Sequence, residues 1–282
     1  MAVADESPRA FAPLFRLERQ RLLGVLGSLD ETDWDRPSPC PGWSVLGLAT
    51  HLLGGDLSVL AWQRDDHRGT PAPDGLDERG FIAWLDELQI EWVHAARRLS
   101  PRLVVELLQS TGTEVVEMVH RQDPSALTAN VSWASASAVP AWLDQGRELT
   151  EQWIHRQQIL QALERPSDLR ADLAMPVLDA LRWAYPFRLD AHRRAAGATV
   201  VITVTGPDVE LRCNLVSDGD AWSFNPTIDG PVVAELHLTV EQAWRLLTNN
   251  FDPSVHGHVV TSGDGEIVAT LIRTRAIIGT PK

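Results

Sequence analysis

The sequence predicts a two-domain α+β protein, a helical bundle followed by a small domain that mixes strands and helices. Apolar residues recur at helical spacing through the first two-thirds of the chain. From Thr199 onward the period switches to the alternation of strands. Between the two patterns stands Pro166, which divides the chain into domains of residues 1–165 and 166–282. At 282 residues the chain is long enough for two ordinary domains.

Phe11, Phe15, Leu22, Leu23, Leu26 and Leu29 share one helical period from about Pro8 to Leu29. Asp30 to Gly42, with Pro37, Pro39 and Pro41, is a turn-rich connector. Ser44 is the N-cap of a helix through Val45, Leu48, Leu52, Val59 and Leu60 that ends near Arg64. Gly69, Pro71, Pro73 and Gly75 make a loop of the stretch from Asp65 to Gly75. A helix over about Asp77 to Leu99 follows, and Ser100-Pro101 supplies the cap and first residue of another, to about Arg121. Asp123 to Val139 reads as irregular. Helical spacing returns from Pro140 to Leu163 through Trp142, Leu149, Trp153, Leu160 and Leu163.

Beyond Pro166 a helix covers about Met175 to Arg194. Thr199 to Thr205 and Val209 to Val216 are strands joined by a tight turn at Pro207-Asp208, and Ser217 to Asp220 turns the chain into a strand from Ala221 to Phe224. Val232 to Leu238 is a further strand, and Thr239 caps a helix through Trp244 and Leu247. Val255 to Thr261 is a last strand, and Asp264 to Ile278 a closing helix.

Composition narrows the function. A formal net charge of −13 argues against nucleic acid, whose phosphates it repels, and equally against an anionic membrane surface. Hydrophobic content of 44% and charged content of 22% are those of a soluble globular protein. No unbroken apolar run approaches the roughly 18 residues of a membrane span. Met1 to Ser7 lacks the basic start and apolar core of a signal peptide. Cys40 and Cys213 are too few for a disulfide framework and fit a reducing cytoplasm. Lys282 is the only lysine, which removes Schiff-base, P-loop and Ser-x-x-Lys chemistry. Neither Gly-x-Gly-x-x-Gly nor Gly-x-Ser-x-Gly occurs. A Lys-poor, Ala/Arg/Trp-rich chain points to a GC-rich genome such as an actinobacterium's.

Two stretches carry chemistry. Glu151 and His155 lie four residues apart in a helix, so both leave one face. His51 lies two turns into the helix that Ser44 caps. Three N/O ligands from two helices, without a fourth from the protein, describe an open metal site of the sort that facing bundle helices build. Plainer readings stand beside it. Nine histidines can produce a Glu-x-x-x-His pair by chance, a polar stripe on a bundle helix commonly faces solvent, and Arg147 with Glu151 can be a routine i,i+4 ion pair. Gln158 lies on roughly the face of Glu151, and Trp153 is most simply a core residue. Gly42 gives backbone freedom before the helix, and Trp43 can pin the connector to the bundle. Cys40 has nothing basic beside it in sequence, which speaks against a reactive thiol. His256 and His258 would share one strand face but lack a third ligand, so they read as an exposed or hydrogen-bonded pair.

Trp34, the run Pro37-Ser38-Pro39-Cys40-Pro41-Gly42-Trp43-Ser44-Val45 and His51-Leu52 together resemble the N-terminal signature of the mycothiol-dependent maleylpyruvate isomerase family, one of the DinB-like metal-binding bundles. The resemblance continues in Glu151-x-Trp153-Ile154-His155-x-x-Gln158. It covers about residues 8 to 163, and more loosely the C-terminal part, which resembles the sterol-carrier-like domain found beside this bundle. It implies a DinB-like four-helix core with one additional or kinked helix around Ser100-Pro101, joined to a sterol-carrier-like α+β domain. It also implies metal ligands at His51, Glu151 and His155, a divalent ion for which zinc is the default, and mycothiol or a similar thiol as cofactor. A metal-bound thiol is deprotonated near neutral pH. In the isomerisation the resemblance implies, thiolate adds to an activated double bond, the adduct rotates and the thiol leaves. An arginine of the C-terminal domain toward an acidic substrate is implied as well. Arg212, Arg245, Arg273 and Arg275 are candidates, and Arg275 on the closing helix is the one taken. The expected function is a cytoplasmic, metal-dependent enzyme that uses the thiol to isomerise or S-conjugate a small electrophile. A hydrolase using metal-bound water and a non-catalytic metal- or ligand-binding protein are the alternatives.

Overall fold

The structure, a computed structural model, describes residues 10–276. Pro8 and Arg9 of the expected first helix, Ile277 and Ile278 of the expected closing helix, the Met1 to Ser7 segment and Lys282 lie outside the described residues. The protein is mixed α+β, and its chain divides into two compact units. One holds residues 10–126 with Glu148–Asp168, and the other holds Leu127–Arg147 with residues 169–276.

The first unit contains α1 (Ala12–Leu26), α2 (Val45–Val59), α3 (Glu78–Ala96), α4 (Pro101–Arg121) and the later part of α5 (Ala141–Ala162). Local chemistry starts three of them. The side chains of Ser44, Asp77 and Ser100 accept the N–H groups of Gly47, Gly80 and Leu103, and Pro101 takes the first helical position, where no N–H is needed. α1 packs on α4, and α2 on both α3 and α4, around Leu22, Leu26, Leu48, Leu52, Leu53, Leu108 and Ile159. Gly54 sets the α2–α3 approach: a Cβ there would fall 2.4 Å from Nε1 of Trp92. The indole lies on the bare helix and donates to the Thr50 carbonyl at 2.7 Å.

α2 continues into a π-helical turn over Leu60–Arg64. The joined segment Val45–Arg64 is, by length and composition, apolar enough to cross a bilayer, which a search for unbroken apolar runs does not show. Most of it is buried within the protein, and it carries the buried polar residues Thr50, His51 and Asp56.

Buried charges tie the helices together. Arg19 of α1 donates to Asp56 at 2.7 Å and to the Leu108 carbonyl at 2.9 Å, and the other Asp56 oxygen accepts the Thr111 hydroxyl at 2.6 Å. Arg156 of α5 grips Glu18 of α1 with two hydrogen bonds of 2.6 and 2.8 Å and reaches Asp168 at 2.9 Å. Each buried cation thus meets a buried anion, as desolvation requires.

The second unit is built on a five-stranded sheet in the order β3-β2-β1-β4-β5. Its strands are β1 (Thr199–Gly206), β2 (Val209–Ser217), β3 (Trp222–Phe224), β4 (Val232–Thr239) and β5 (Val260–Gly263). β1 pairs antiparallel with β2 and parallel with β4, and the β2–β3 and β4–β5 pairs are antiparallel. Val200, Ile202 and Val204 of β1 and Ala234, Leu236 and Leu238 of β4 alternate into the core. The helices are α6 (Ala171–Leu181), α7 (Ala184–Leu189), α8 (Val240–Leu247), the short turn α9 (Pro253–His256) and α10 (Gly265–Arg273). α6, α8 and α10 pack on the strands. A capping box between Thr239 and Gln242 starts α8.

Several details differ from the sequence expectation, among them the end of the closing helix, at Arg273. The helix expected over Met175 to Arg194 is two helices broken between Leu181 and Ala184. An unbroken helix would drive the Pro186 ring into the carbonyl of Arg182, whereas in the first turn of α7 the proline needs no N–H partner. The strand expected from Val255 begins instead at Val260. Asp252 caps Pro253, which opens a helical turn, and Gly257 ends it at a φ of 75°. Leu127–Arg147, on the first-domain side of a boundary at Pro166, groups with the second unit. There Trp142 meets Trp183 edge-on at 5.8 Å, and Trp183 meets Phe224 edge-on at 5.0 Å.

Candidate metal centre

α2 and α5 bring His51, Glu151 and His155 together, with one donor atom of each inside a 4.8 Å span. Among the described residues this is the one such group of three metal-ligating side chains. His51 sits two turns after the Ser44 cap, and Glu151 and His155 are one turn apart on α5. Nε2 of each imidazole lies 3.0 Å from the same Glu151 oxygen, Oε1. The rings meet edge-on with centroids 4.6 Å apart, and the Trp43 ring packs on His51 at 4.9 Å. Both imidazole side chains are 11% exposed and the Glu151 side chain 45%, so the carboxylate marks the open side. In a tetrahedral zinc site with bonds of roughly 2.0–2.1 Å, neighbouring donors stand about 3.3 Å apart. The two separations found here come close to that, so the donor set fits a divalent ion.

The outward ring nitrogens are occupied too. Nδ1 of His51 faces Oε1 of Gln89 at 3.0 Å, and Nδ1 of His155 faces Oε1 of Gln158 at 2.7 Å. The Cys40 thiol donates to that same Gln158 oxygen at 3.3 Å. The loss of water on the inner side of the Glu151 carboxyl is outweighed by the charge and hydrogen bond of His155, with those of His51, which hold it well below its ordinary range. Burial likewise pushes the His155 imidazolium down, yet the Glu151 carboxylate, aided by the Cys40 sulfur as an acceptor, lifts it to about 10.

The remaining sequence candidates fall elsewhere. Arg147 pairs with Asp144 at 2.9–3.0 Å. Trp153 is fully buried core. Cys40 does have a basic neighbour, His155, brought to it by folding rather than by sequence. His256 and His258 do not share a strand face: His256 lies in α9, and its Nδ1 accepts the Asp252 N–H at 3.0 Å. Arg275, expected on the closing helix, lies beyond its end at Arg273 in the second unit, where it donates to the Ile272 and Thr274 carbonyls at 2.8 and 2.9 Å and to Asn249 at 3.4 Å. Gln89 carries no motif. Its place follows from the seating of Trp92 on Gly54, which no reading of α3 alone reveals.

The family model described as the mycothiol maleylpyruvate isomerase N-terminal domain matches residues 15–160, more than half of the chain. Two solved structures are similar in fold, a crystal structure of the mycothiol-dependent maleylpyruvate isomerase and one of a histidine-to-alanine mutant of it. Each shares 13% sequence identity at a TM-score of 0.56, over 93% of this chain and 95% of that one. No curated protein matches the chain.

Proposed function

The chain belongs to the mycothiol maleylpyruvate isomerase family, and on that premise we propose that it is a metal-dependent enzyme using mycothiol or a similar low-molecular-weight thiol to isomerise a small electrophile. His51, Glu151 and His155 are its metal ligands in this reading, and zinc is its ion. The observation that carries it is the convergence of both Nε2 atoms on one carboxylate oxygen, each at 3.0 Å, beside an exposed edge. The ion would supply a position at which a thiol loses its proton near neutral pH. The chain's own residues do the rest: the imidazoles hold, Glu151 offsets part of the positive charge, and the Trp43 ring limits the swing of His51. The same reading takes α1, α2, α4 and α5 as the four-helix core of a DinB-like bundle and the sheet unit as a sterol-carrier-like domain. A fold likeness spanning 93% of the chain supports it. An arginine of the C-terminal part then receives the substrate's carboxylate, with Arg275 the candidate.

The test combines elemental analysis of zinc-reconstituted protein with spectrophotometric turnover of maleylpyruvate. Turnover that needs both the ion and added mycothiol is the expected result. Turnover with the ion alone would favour a hydrolase, release of a stable thiol adduct an S-transferase, and ion binding without turnover a binding protein. Protein that takes up no divalent ion removes the whole reading.

A further inference from the structure

We propose that Gln89 and Gln158 are the positioning residues of this centre, each accepting the Nδ1–H of one histidine and so holding both Nε2 atoms toward Glu151. The inference rests on the metal reading above and deepens it.

A side-chain carbonyl oxygen can only accept, so an imidazole whose Nδ1 lies 3.0 or 2.7 Å from one carries its proton there. Nε2 of each ring is then the atom left to bind an ion. Ligating histidines are commonly oriented through their other ring nitrogen, and an amide does so without adding charge. A carboxylate in its place would bring a second negative charge to the donor set. With Glu151 as the one anion, the ion keeps net positive charge and still attracts an anionic sulfur.

The two amides are themselves fixed, from opposite directions in the chain. Gln158 lies one turn beyond His155 on α5 and is buried. Its Oε1 also lies 3.3 Å from the Cys40 thiol, which fixes the amide at a second point. Cys40 is held by its own turn, for its N–H donates to the Ser38 hydroxyl at 3.1 Å and its carbonyl accepts the Trp43 N–H at 3.1 Å. Gln89 lies one turn before Trp92 on α3, and Trp92 is locked to α2 by its contact with Gly54 and its hydrogen bond to the Thr50 carbonyl. Thr50 immediately precedes His51. The lock that seats α3 therefore delivers the Gln89 oxygen to the ring it must hold.

Gln89→Met and Gln158→Met keep the side-chain length and remove the acceptor, and Gln89→Glu restores one. Zinc affinity is read by chelator competition, and coordination geometry by the visible spectrum of the cobalt-substituted protein. Each methionine variant should bind zinc about 10–100-fold more weakly at one ion per chain, with an altered cobalt spectrum and an unchanged far-UV circular dichroism spectrum. Gln89→Glu should return both readouts toward wild type, a recovery that a packing role for Gln89 does not predict. Methionine variants that bind within about twofold of wild type, with the same cobalt spectrum, overturn the proposal and leave the metal reading intact. Wild type that binds no ion removes the metal reading and the proposal with it. Should a methionine variant fail to fold, long-range proton–nitrogen NMR of the zinc-loaded wild type decides. Nδ1–H on both His51 and His155 supports the assignment, and Nε2–H on either defeats it.

Discussion

Replacing Arg156 by methionine removes the cation that neutralises Glu18 while keeping most of the volume it fills. The two side chains are 1% and 0% exposed, and two hydrogen bonds of 2.6 and 2.8 Å join them. The substitution strands a carboxyl group without water or counter-charge, and breaking a buried pair in this way costs about 3–5 kcal/mol. Asp168 also loses a partner, but it is 16% exposed and has Arg21 at 3.7 Å, so it adds little. We expect about 4 kcal/mol for Arg156→Met. Glu18→Leu should cost less, about 3 kcal/mol, because Arg156 keeps Asp168 at 2.9 Å. The double variant exchanges the pair for apolar side chains and should recover to within about 2 kcal/mol of wild type. Urea unfolding of the ion-free proteins, followed by far-UV circular dichroism, reads these differences as midpoint shifts at constant slope. A cost below about 1 kcal/mol for Arg156→Met, or a double variant as unstable as the sum of the singles, would refute the reasoning.

Alanine at His51, Glu151 or His155 should each remove most of the bound divalent ion while cooperative unfolding persists, because the helices are held by their apolar faces. Elemental analysis showing the ion retained in all three variants would sink the ligand assignment. Zinc must displace the proton from an imidazole lifted to about 10, so zinc affinity should climb steadily from pH 6 to 9, and a flat chelator-competition profile would contradict this. In the ion-free protein the raised His155 contributes stability that is complete below its ordinary 6.5 and is lost as pH rises toward about 10. The lowered Glu151 contributes stability present above its ordinary 4.5 and lost as pH falls. The ion-free protein should therefore be most stable between those two values, and a maximum near pH 9 in its melting temperature would reverse the assigned signs. Gly54→Ala places a Cβ 2.4 Å from Trp92 Nε1 and should cost about 1–3 kcal/mol in packing against roughly 1 kcal/mol gained in helix propensity, a net loss of up to about 2 kcal/mol. A variant more stable than wild type in urea would show that α3 can shift freely.

By itself, the sequence determined the features whose causes are local. Ser44, Asp77, Ser100 and Thr239 mark helix starts because a short polar side chain satisfies an N–H two or three residues away, and that geometry needs no tertiary partner. The β1–β2 hairpin was legible because its alternation and its turn lie side by side in the chain. Glu151 and His155 were legible as a pair because one helical turn separates them. That His51 joins them was legible only through resemblance to a family, since a hundred residues intervene. Tertiary structure decided what depends on which helix meets which. Gln89 faces His51 only because Trp92 finds a bare helix at Gly54, and His155 lies beside Cys40 only because α5 is seated. Glu18 and Arg156, ordinary surface-type residues in a periodic reading, form a buried pair once α1 and α5 pack. The break before Pro186 and the turn at Asp252 were written in the sequence but outweighed there by apolar spacing. Spacing reports which face is buried but not where a helix breaks, and a proline alone does not say so either, since α6 runs on through Pro176.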